Sequence, residues 1–328
     1  MFPASTLKSL LQDRALLLQK ARDFFASRDV LEVDCCALVP HAPIDSNIDV
    51  IEAQATDTQE GYLHTSPEYA MKRLLTAGVG DIYYLGHVFR KGEIGSRHNP
   101  EFTMAEWYRA GLSCDELIQE TCEFLFLFFD PLPTRKLSYR DAFSTFVGID
   151  YSRVSIQELQ KAAQIHQIEL PPESSSWSRD LFLHLLLSHV IEPHLGQGEL
   201  TILTDYPPNE AALARVAQKN GETVAERFEI YYQGIELTNG YHELGDAQEL
   251  RRRFHEENQI RQSLGKKTYS LDEPFLASFE KGFPACCGVS VGFDRALMIR
   301  RKAKTLGEVL PFPWTSPLAQ SLLLSHLL

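Results

Sequence analysis

The chain has 328 residues, of which 44% are hydrophobic and 23% are charged, as in an ordinary folded globular protein. This composition excludes disordered, collagen-like and coiled-coil proteins. Lysine and arginine number 32 against 44 aspartate and glutamate residues, so the formal net charge of −12 disfavours broad attraction to nucleic acids.

The chain ends and the cysteines predict a cytoplasmic protein. Charged residues interrupt the first helical stretch of the chain, so we expect no secretion signal. The apolar run over residues 318–328 is shorter than the ~20 residues that span a bilayer, so we expect no membrane association. The six cysteines lack the C-x-x-C spacing of zinc sites, and we expect them to be reduced and mostly buried.

Hydrophobic periodicity and turn signals predict the elements of the first half of the chain. Apolar residues at three- and four-residue steps indicate an amphipathic helix, and β-rich runs indicate strands. In chain order we predict a helix over residues 7–25, a short strand over 30–33, a helix from Ser66-Pro67-Glu68 to Gly78, and an antiparallel hairpin of strands 83–90 and 101–108 with a long loop.

The same signals continue through the second half. In chain order we predict an exposed loop or insertion within about residues 130–180, a strand over 228–237, a turn at Asn239-Gly240, a helix that Asp246 caps and that ends near Gly265, and a strand over 288–292 that leads into a helix. The pattern predicts an α+β fold, with an antiparallel β-sheet flanked by helices, in a single domain over residues 1–328.

The predicted hairpin carries residues that suit a nucleotide site beside an acidic side-chain pocket. Period-two alternation places four side chains on one face of its second strand: Phe102, Met104, Glu106 and Tyr108. Arginines in the loop can close over a phosphate, because guanidinium presents a planar fork. The residues available there are Arg90, Arg97, His98 and Asn99. The alternative is a solvated hairpin with surface charges.

Two later segments add candidate ligands. Glu236 and Glu243 flank the predicted turn and can converge on magnesium, which typically uses one or two carboxylates. Taken alone, this pattern fits two exposed hairpin carboxylates better than a metal site. In residues 288–295, small residues followed by Arg295 are typical of a strand that a ligand approaches closely.

Together these segments resemble the motifs of class II aminoacyl-tRNA synthetases, and within that class the lysyl-tRNA synthetases. The resemblance runs from about Leu7 to Pro313, with the motifs in order along the chain. The matching segments are Thr65-Ser66-Pro67-Glu68 with Met71-Lys72-Arg73, Phe89-Arg90 with residues 97–102, Glu236-Leu237 with Asn239-Gly240 and His242-Glu243-Leu244, and Gly292-Phe293-Asp294-Arg295.

Lysyl-tRNA synthetases carry an N-terminal OB-fold that reads the anticodon, whereas the first predicted helix here already begins at Leu7. We therefore expect no anticodon-binding domain and no anticodon recognition. This architecture resembles the stand-alone paralogues of the family that attach β-lysine to a lysine of translation elongation factor P. Residues 98–104 and 224–237 are also similar to those paralogues.

The resemblance implies a ligase that uses ATP and Mg²⁺ to convert lysine or (R)-β-lysine to an aminoacyl-adenylate. The acyl group would then pass to a lysine ε-amine of elongation factor P, and the enzyme is expected to be a cytoplasmic homodimer.

The resemblance also implies a role for individual residues. Arg90 is the implied catalytic residue at the α-phosphate, and Phe102 and Arg295 would sandwich the adenine. Glu236 and Glu243 are the implied magnesium ligands. The implied ATP-binding set is Arg90, Lys91, Gly92, His98, Asn99, Phe102, Glu236, Leu237, Gly292 and Arg295. The implied substrate-binding set is Ser66, Pro67, Glu68, Glu106, Tyr108, Glu243 and Ser290.

Four positions depart from the motifs of the class. Asp29 and Cys36 stand where the first motif usually has a glycine and a proline at the dimer interface. Gly92 stands at the usual acid of the second motif, and Glu93 follows it. Ser290 replaces a glycine of the lysyl-tRNA synthetases, and its side chain would narrow the amino-acid pocket, a plausible way to select a β-amino group.

Two alternatives remain open. The first is a minimal lysine-activating enzyme that charges tRNA or another amine, although the acidic balance and the expected lack of an anticodon module count against tRNA. The second is a non-catalytic paralogue that binds an amino acid and regulates a partner. Gly92 is the feature that favours this second alternative.

Overall fold

The computed structural model describes residues 4–314, and the apolar run over 318–328 lies outside them. The α-helices of the described residues are α1 Ala4–Ala26, α2 Glu68–Thr76, α3 Cys114–Leu125, α4 Tyr139–Ala142, α5 Ile156–Ile165, α6 Arg179–Leu186, α7 Ala247–Ser263, α8 Glu273–Phe279 and α9 Phe293–Arg300. The strands are β1 Leu31–Glu32, β2 Leu38–Val39, β3 Ile51–Thr56, β4 Gln59–Leu63, β5 Ile82–Phe89, β6 Glu101–Ala110, β7 Thr134–Ser138, β8 Leu200–Tyr206, β9 Val216–Lys219, β10 Glu222–Tyr232, β11 Ile235–His242 and β12 Cys286–Gly292.

The chain divides into two compact units. The first comprises Met1–Asp130 and Glu243–Leu328, and the second comprises Pro131–His242. The predicted insertion within about residues 130–180 falls in the second unit, where its residues form β7, α4 and α5. The assignment of residues 1–328 to a single catalytic domain stays a prediction.

In the first unit, β6 lies between β5 and β12, and β1 lies outside β5. Both β5 and β12 run antiparallel to β6, whereas the short β1 runs parallel to β5. A separate sheet has the order β2-β4-β3. The predicted hairpin of β5 and β6 is therefore confirmed, and β6 gains a second antiparallel neighbour from far along the chain.

In the second unit the strand order is β11-β10-β8-β7, and β9 also pairs with β10. All of these pairs are antiparallel except β7 with β8. A buried cluster joins α4, α5 and α6 to β8 and β10 through Tyr139, Leu159, Leu186, Leu203 and Tyr231. Mainly antiparallel sheets covered by helices confirm the predicted α+β class.

The two faces of β6 serve different purposes because successive side chains of a strand point in opposite directions. Trp107 is fully buried on one face, with its ring centroid 5.2 Å from that of Phe25 in α1 and 5.2 Å from that of Phe124 in α3. Met104 and Tyr108 lie on the other face and pack in the cluster that contains α2. One face thus anchors the strand in the core, and the other is left for α2 and its polar neighbours.

Asp29 follows α1 in a left-handed backbone conformation, with a φ of 56°. This conformation favours glycine, and aspartate is among the few other residues that adopt it readily. The glycine usual in the first motif therefore has a backbone reason, and Asp29 keeps the same turn. The homodimer stays a prediction.

The predicted turn at Asn239-Gly240 is wrong. Both residues lie inside β11, and the chain instead reverses at Gln233 and Gly234, with φ values of 53° and 68°. Two consecutive positive φ values match the two-residue hairpin turn whose twist suits paired strands. Gly240 serves a packing role, because a Cβ there would lie 2.3 Å from the Phe228 ring on β10.

The structure describes all six cysteines and the helices within residues 4–314. All six cysteines are free; Cys122, Cys286 and Cys287 are buried, Cys35 and Cys114 are partly buried, and Cys36 is exposed. Within residues 4–314, no helix combines the length and the apolar character that crossing a bilayer requires.

We predict that Gly240→Ala destabilises the protein by about 1–3 kcal/mol, because the added methyl group overpacks the contact with Phe228. The measurement is the free energy of unfolding in urea. The double variant Gly240→Ala/Phe228→Leu removes part of the ring, so the glycine substitution should cost less in that background. Equal stability of Gly240→Ala and the wild-type protein would contradict the packing role.

Candidate active site

Three carboxylates of the first unit lie near one another on the α2 side of β6. Glu68 is the first residue of α2, Glu106 lies in β6, and Glu243 follows β11 in the chain. We call these three residues the acid cluster. Its members influence one another electrostatically, since Glu68 acts on both of the other two carboxyl groups.

Glu106 is buried and is held by two hydroxyl groups. The Ser66 hydroxyl donates to one carboxylate oxygen and the Tyr108 hydroxyl to the other, each at 2.7 Å. Ser66 Oγ also accepts from the backbone N–H of Glu68 at 3.0 Å, so it ties the start of α2 to β6. Burial, reinforced by the charge of Glu68, raises the pKa of Glu106 to about 7. Pro67, the residue between Ser66 and Glu68, is the N-cap of α2.

Lys72 is the cation in contact with the acid cluster, and its side chain is fully buried. Its Nζ lies 2.5 Å from Glu68 Oε1, one turn earlier in α2, and 2.6 Å from Glu243 Oε2. Burial alone would lower the pKa of Lys72, but the charges of Glu243 and Glu68 outweigh it and raise that pKa. Burial also raises the pKa of Glu243 to about 8.

Lys72 is absent from the site residues predicted from the sequence. The available signal was the four-residue spacing of Glu68 and Lys72, which places both side chains on the same face of a helix. That spacing occurs on many solvent-exposed helices. Only the packing of α2 against β6 turns this pair into a buried one.

The neighbouring strand β12 supplies small residues at this face. Gly288 lies opposite Tyr108 and Ser290 lies opposite Glu106 in the antiparallel register. A Cβ at Gly288 would approach Glu243 Oε1 and Tyr108 Cε1 to 2.5 Å each. Glycine therefore leaves the space that Glu243 and Tyr108 occupy. Because opposite residues of a strand pair share a face, Ser290 lies on the face of Glu106, where its substrate role stays a prediction.

Chemically, the acid cluster is suited to bind ammonium groups. Ionised carboxylates that leave water require a cationic or hydrogen-bonding partner, and Glu106 has two neutral hydroxyl partners while Glu68 and Glu243 share one ammonium. Burial is the main reason that the pKa values of Glu106 and Glu243 are raised, and the charge of Glu68 adds to it.

Arg90 follows β5 and lies against the second strand of the hairpin. Its guanidinium carbon is 5.1 Å from the centroid of the Phe102 ring, and its Nε is 3.5 Å from the carbonyl oxygen of Thr65. The carboxylate of Glu93 lies 3.7 Å from Arg90 Nη1. Arg90 and Phe102 therefore lie together beside the segment that leads to α2, and their roles at the nucleotide stay predictions.

Glycine at position 92 has a backbone explanation. Gly92 has a φ of 80°, in the left-handed region where another residue would be strained. The preceding Lys91 is exposed, and its backbone N–H donates to the carbonyl oxygen of Asp49. Glu93 approaches Arg90, and a substitute role of Glu93 for the acid of the second motif stays a prediction.

Arg295 at the start of α9 reaches the loop between β5 and β6. Its Nη2 lies 2.9 Å from His98 Nε2, and its Nε donates to the carbonyl oxygen of Arg97. Burial, reinforced by the charge of Arg295, lowers the pKa of His98. A neutral His98 can accept the hydrogen bond from Arg295. The two motifs expected to bind the nucleotide thus contact each other directly.

Asn99 is buried, and its side-chain amide forms hydrogen bonds with backbone groups of the protein. Its Nδ2 donates to the carbonyl oxygen of Glu101 at 2.6 Å, and its Oδ1 accepts from the backbone N–H of Trp314 at 2.8 Å. Its nucleotide-binding role stays a prediction. Gly292 is the N-cap of α9.

Asp294 holds the segment Gly292-Phe293-Asp294-Arg295 in place. This role of Asp294 was not predicted from the sequence. This buried carboxylate accepts from the Arg14 guanidinium of α1 and from the backbone N–H of Thr103 at 2.7 Å. The start of α9, and with it Arg295, is thereby tied to both α1 and β6. The only sequence signal was the position of Asp294 next to Arg295 in the matched motif.

The predicted magnesium ligands lie in different units. Glu236 is half-buried and Leu237 is buried in β11 of the second unit. Glu243 belongs to the first unit, where its carboxylate is buried against an ammonium group. Magnesium dehydrates reluctantly and keeps several waters, so the surroundings of Glu243 fit an ammonium better than this ion. Glu236 keeps its predicted role as a magnesium ligand.

We predict that Gly288→Ala weakens lysine binding about tenfold or more, because a clash of about 1–3 kcal/mol displaces Glu243 or Tyr108. The measurement is the dissociation constant for lysine by titration calorimetry. Gly307→Ala is the matched control, since a Cβ there has no neighbour closer than 3.6 Å. Unchanged lysine affinity in Gly288→Ala would show that the spacing at Gly288 does not matter for the site.

Comparison with known proteins agrees with this geometry. Residues 2–316 match the family model described as tRNA synthetases class II (D, K and N). The protein named elongation factor P--(R)-beta-lysine ligase in Haemophilus influenzae strain PittGG is 40% identical over 315 residues, which cover 94% of this chain and 96% of the relative. The protein of the same name in Haemophilus ducreyi is 39% identical over 315 residues, which cover 94% of this chain and 95% of the relative. The protein of that name from Pasteurella multocida is 40% identical over 316 residues, covering 94% of this chain and 96% of the relative. The chain therefore belongs to the class II tRNA synthetase family (D, K and N), in the group of elongation factor P–(R)-β-lysine ligases.

Proposed function

We propose that this protein is an ATP-dependent ligase that activates lysine or (R)-β-lysine and transfers it to a lysine ε-amine of elongation factor P. The observation that carries the proposal is the buried acid cluster, because it provides carboxylates for an amino acid with more than one ammonium group. The relatives are named elongation factor P--(R)-beta-lysine ligase, which supports both the acceptor and the amino acid.

In the first half-reaction, a carboxylate oxygen of the amino acid attacks the α-phosphorus of ATP. An acyl-phosphate bond forms, the bond to the bridging oxygen breaks, and pyrophosphate leaves. Arg90 donates hydrogen bonds to the α-phosphate, where negative charge builds up in the transition state and a fixed donor has its largest effect. Phe102 and Arg295 hold the adenine between an aromatic face and a guanidinium plane.

The acid cluster orients the amino acid for this attack. Glu106 is fixed by Ser66 and Tyr108, so its carboxylate cannot turn away when an ammonium group arrives. Glu68 and Glu243 are held by Lys72 in the same way. Such fixed partners restrict the substrate to an orientation that presents its carboxylate to the nucleotide.

In the second half-reaction, the ε-amine of the acceptor lysine attacks the acyl carbon of the adenylate. An amide bond forms, AMP leaves, and the amine loses a proton. Magnesium, when bound, would neutralise phosphate charge, and Glu236 is a predicted ligand for it. We further propose that the enzyme works in the cytoplasm, where elongation factor P serves translation, and that it forms a homodimer.

Gly92 does not favour a non-catalytic role, because its positive φ explains the glycine by backbone geometry. Arg90, Phe102 and Arg295, the residues to which activation is assigned, are all present.

We predict that the purified protein with ATP, magnesium and labelled (R)-β-lysine labels elongation factor P when bulk tRNA is present in the same tube. Arg90→Gln should lower labelling about 100-fold or more, because a transition-state donor is lost. Arg153→Gln, which removes an arginine that is 88% exposed in the second unit, is the matched control. Label on tRNA would instead identify a synthetase, and the absence of label on both would contradict the proposed ligase.

We predict that the KM for lysine in ATP–pyrophosphate exchange falls by about tenfold between pH 6 and pH 8. Glu106 has a pKa of about 7, so it is mainly protonated at pH 6 and mainly ionised at pH 8, and only the ionised form pairs with an ammonium. Glu106→Gln should raise this KM at pH 8 and reduce its dependence on pH, with the KM for ATP unchanged; the remaining dependence belongs to Glu243, whose pKa is about 8. A KM for lysine that rises with pH in the wild-type enzyme would refute the assignment.

A further inference from the structure

Lys72 differs from the lysine of an ordinary buried ion pair, because it contacts two carboxylates instead of one. Two carboxylates share its ammonium group, with contacts of 2.5 Å to Glu68 and 2.6 Å to Glu243. A buried lysine needs one carboxylate to balance its charge, and the second one adds a charge that nothing in this pair compensates.

Glu106 adds a third negative charge. It lies close enough to Glu68 and Lys72 to interact electrostatically with both, yet its hydrogen-bond partners are the neutral hydroxyl groups of Ser66 and Tyr108. When a cationic ligand keeps all three carboxylates ionised, they and the one ammonium carry a formal charge of −2 in a place that is largely closed to water.

Two negative charges match the substrate class of the proposed function, on which this inference rests. Lysine and its β-isomer each carry two ammonium groups, while their carboxylate is consumed by adenylation. A ligand with two ammonium groups would neutralise the site, whereas a ligand with one would leave a buried carboxylate unpaired. Unpaired buried charges are among the most costly defects in a protein site.

We propose that Lys72 is a specificity-determining, positioning residue. It sets the formal charge of the ionised amino-acid site at −2 and so selects amino acids with two ammonium groups. By taking one oxygen each of Glu68 and Glu243, it stops the two carboxylates from repelling each other and from turning away. It acts through these carboxylates and does not touch the reacting atoms.

The test uses Lys72→Met, which keeps the length of the side chain and removes the charge. The exposed neighbour Arg73 lies one position later in α2, so Arg73→Met is the matched control for loss of a positive charge from this helix. ATP–pyrophosphate exchange is measured with lysine and with 6-aminohexanoate, which is lysine without the α-ammonium group.

The wild-type enzyme and Arg73→Met should prefer lysine over 6-aminohexanoate by about 100-fold in kcat/KM. In Lys72→Met, Glu68 and Glu243 lose the cation that holds them together, repel each other and turn away from the ligand. The KM for lysine should therefore rise about tenfold and the preference should fall about tenfold, with the KM for ATP unchanged. An unchanged preference would overturn the proposal. A parallel rise of both KM values together with lower thermal stability would also overturn it, because that pattern belongs to a merely structural lysine.

Two further measurements separate the possible failures. If Lys72→Met does not fold, the melting temperature of the wild-type protein is measured with pentane-1,5-diamine and with pentylamine. A larger increase with the diamine supports a site charge of −2, and an equal increase with both amines overturns it. If the wild-type enzyme shows no exchange with any lysine isomer, the proposed function fails. If it shows exchange without preference for two ammonium groups, the inference about Lys72 fails while the proposed function stands.

Discussion

The buried contact of Lys72 with Glu68 and Glu243 is the interaction on which the amino-acid site depends. It places opposite charges out of water, which is favourable only with close geometry on both sides. Helix α2 must therefore be held firmly against the sheet, and the bond from Ser66 to Glu106 does this at the start of the helix. A site built in this way is ordered before any substrate arrives, which lowers the entropy cost of binding.

The strand β6 connects the two halves of the site. Its residue Trp107 is anchored in the aromatic core, while Glu106 belongs to the acid cluster and Tyr108 donates a hydrogen bond to it. The backbone N–H of Thr103 bonds to Asp294, which tethers the start of α9. The residues assigned to the amine and those assigned to the nucleotide are thus built on one rigid strand and its neighbours, and rigid elements hold a site more accurately than loops do.

Two departures from the family motifs are explained by the backbone conformation. Asp29 and Gly92 both have positive φ values, so each position selects residues that tolerate a left-handed conformation. A motif position that changes for such a reason says little about catalysis. Ser290 is different, because it lies opposite Glu106 on the face of the acid cluster, where its side chain can affect which amino acid fits.

The sequence by itself determined the α+β class, the hairpin of β5 and β6, and the grouping of Glu106 and Tyr108, because these follow from local periodicity. It failed at Asn239-Gly240, where a typical turn signal lies inside a strand because packing against another strand decides the outcome. Only the tertiary structure decided that Lys72 is buried. Its burial depends on α2 packing against β6 and on Glu243 arriving from a distant segment, and charge interactions across such sequence distances leave no local pattern.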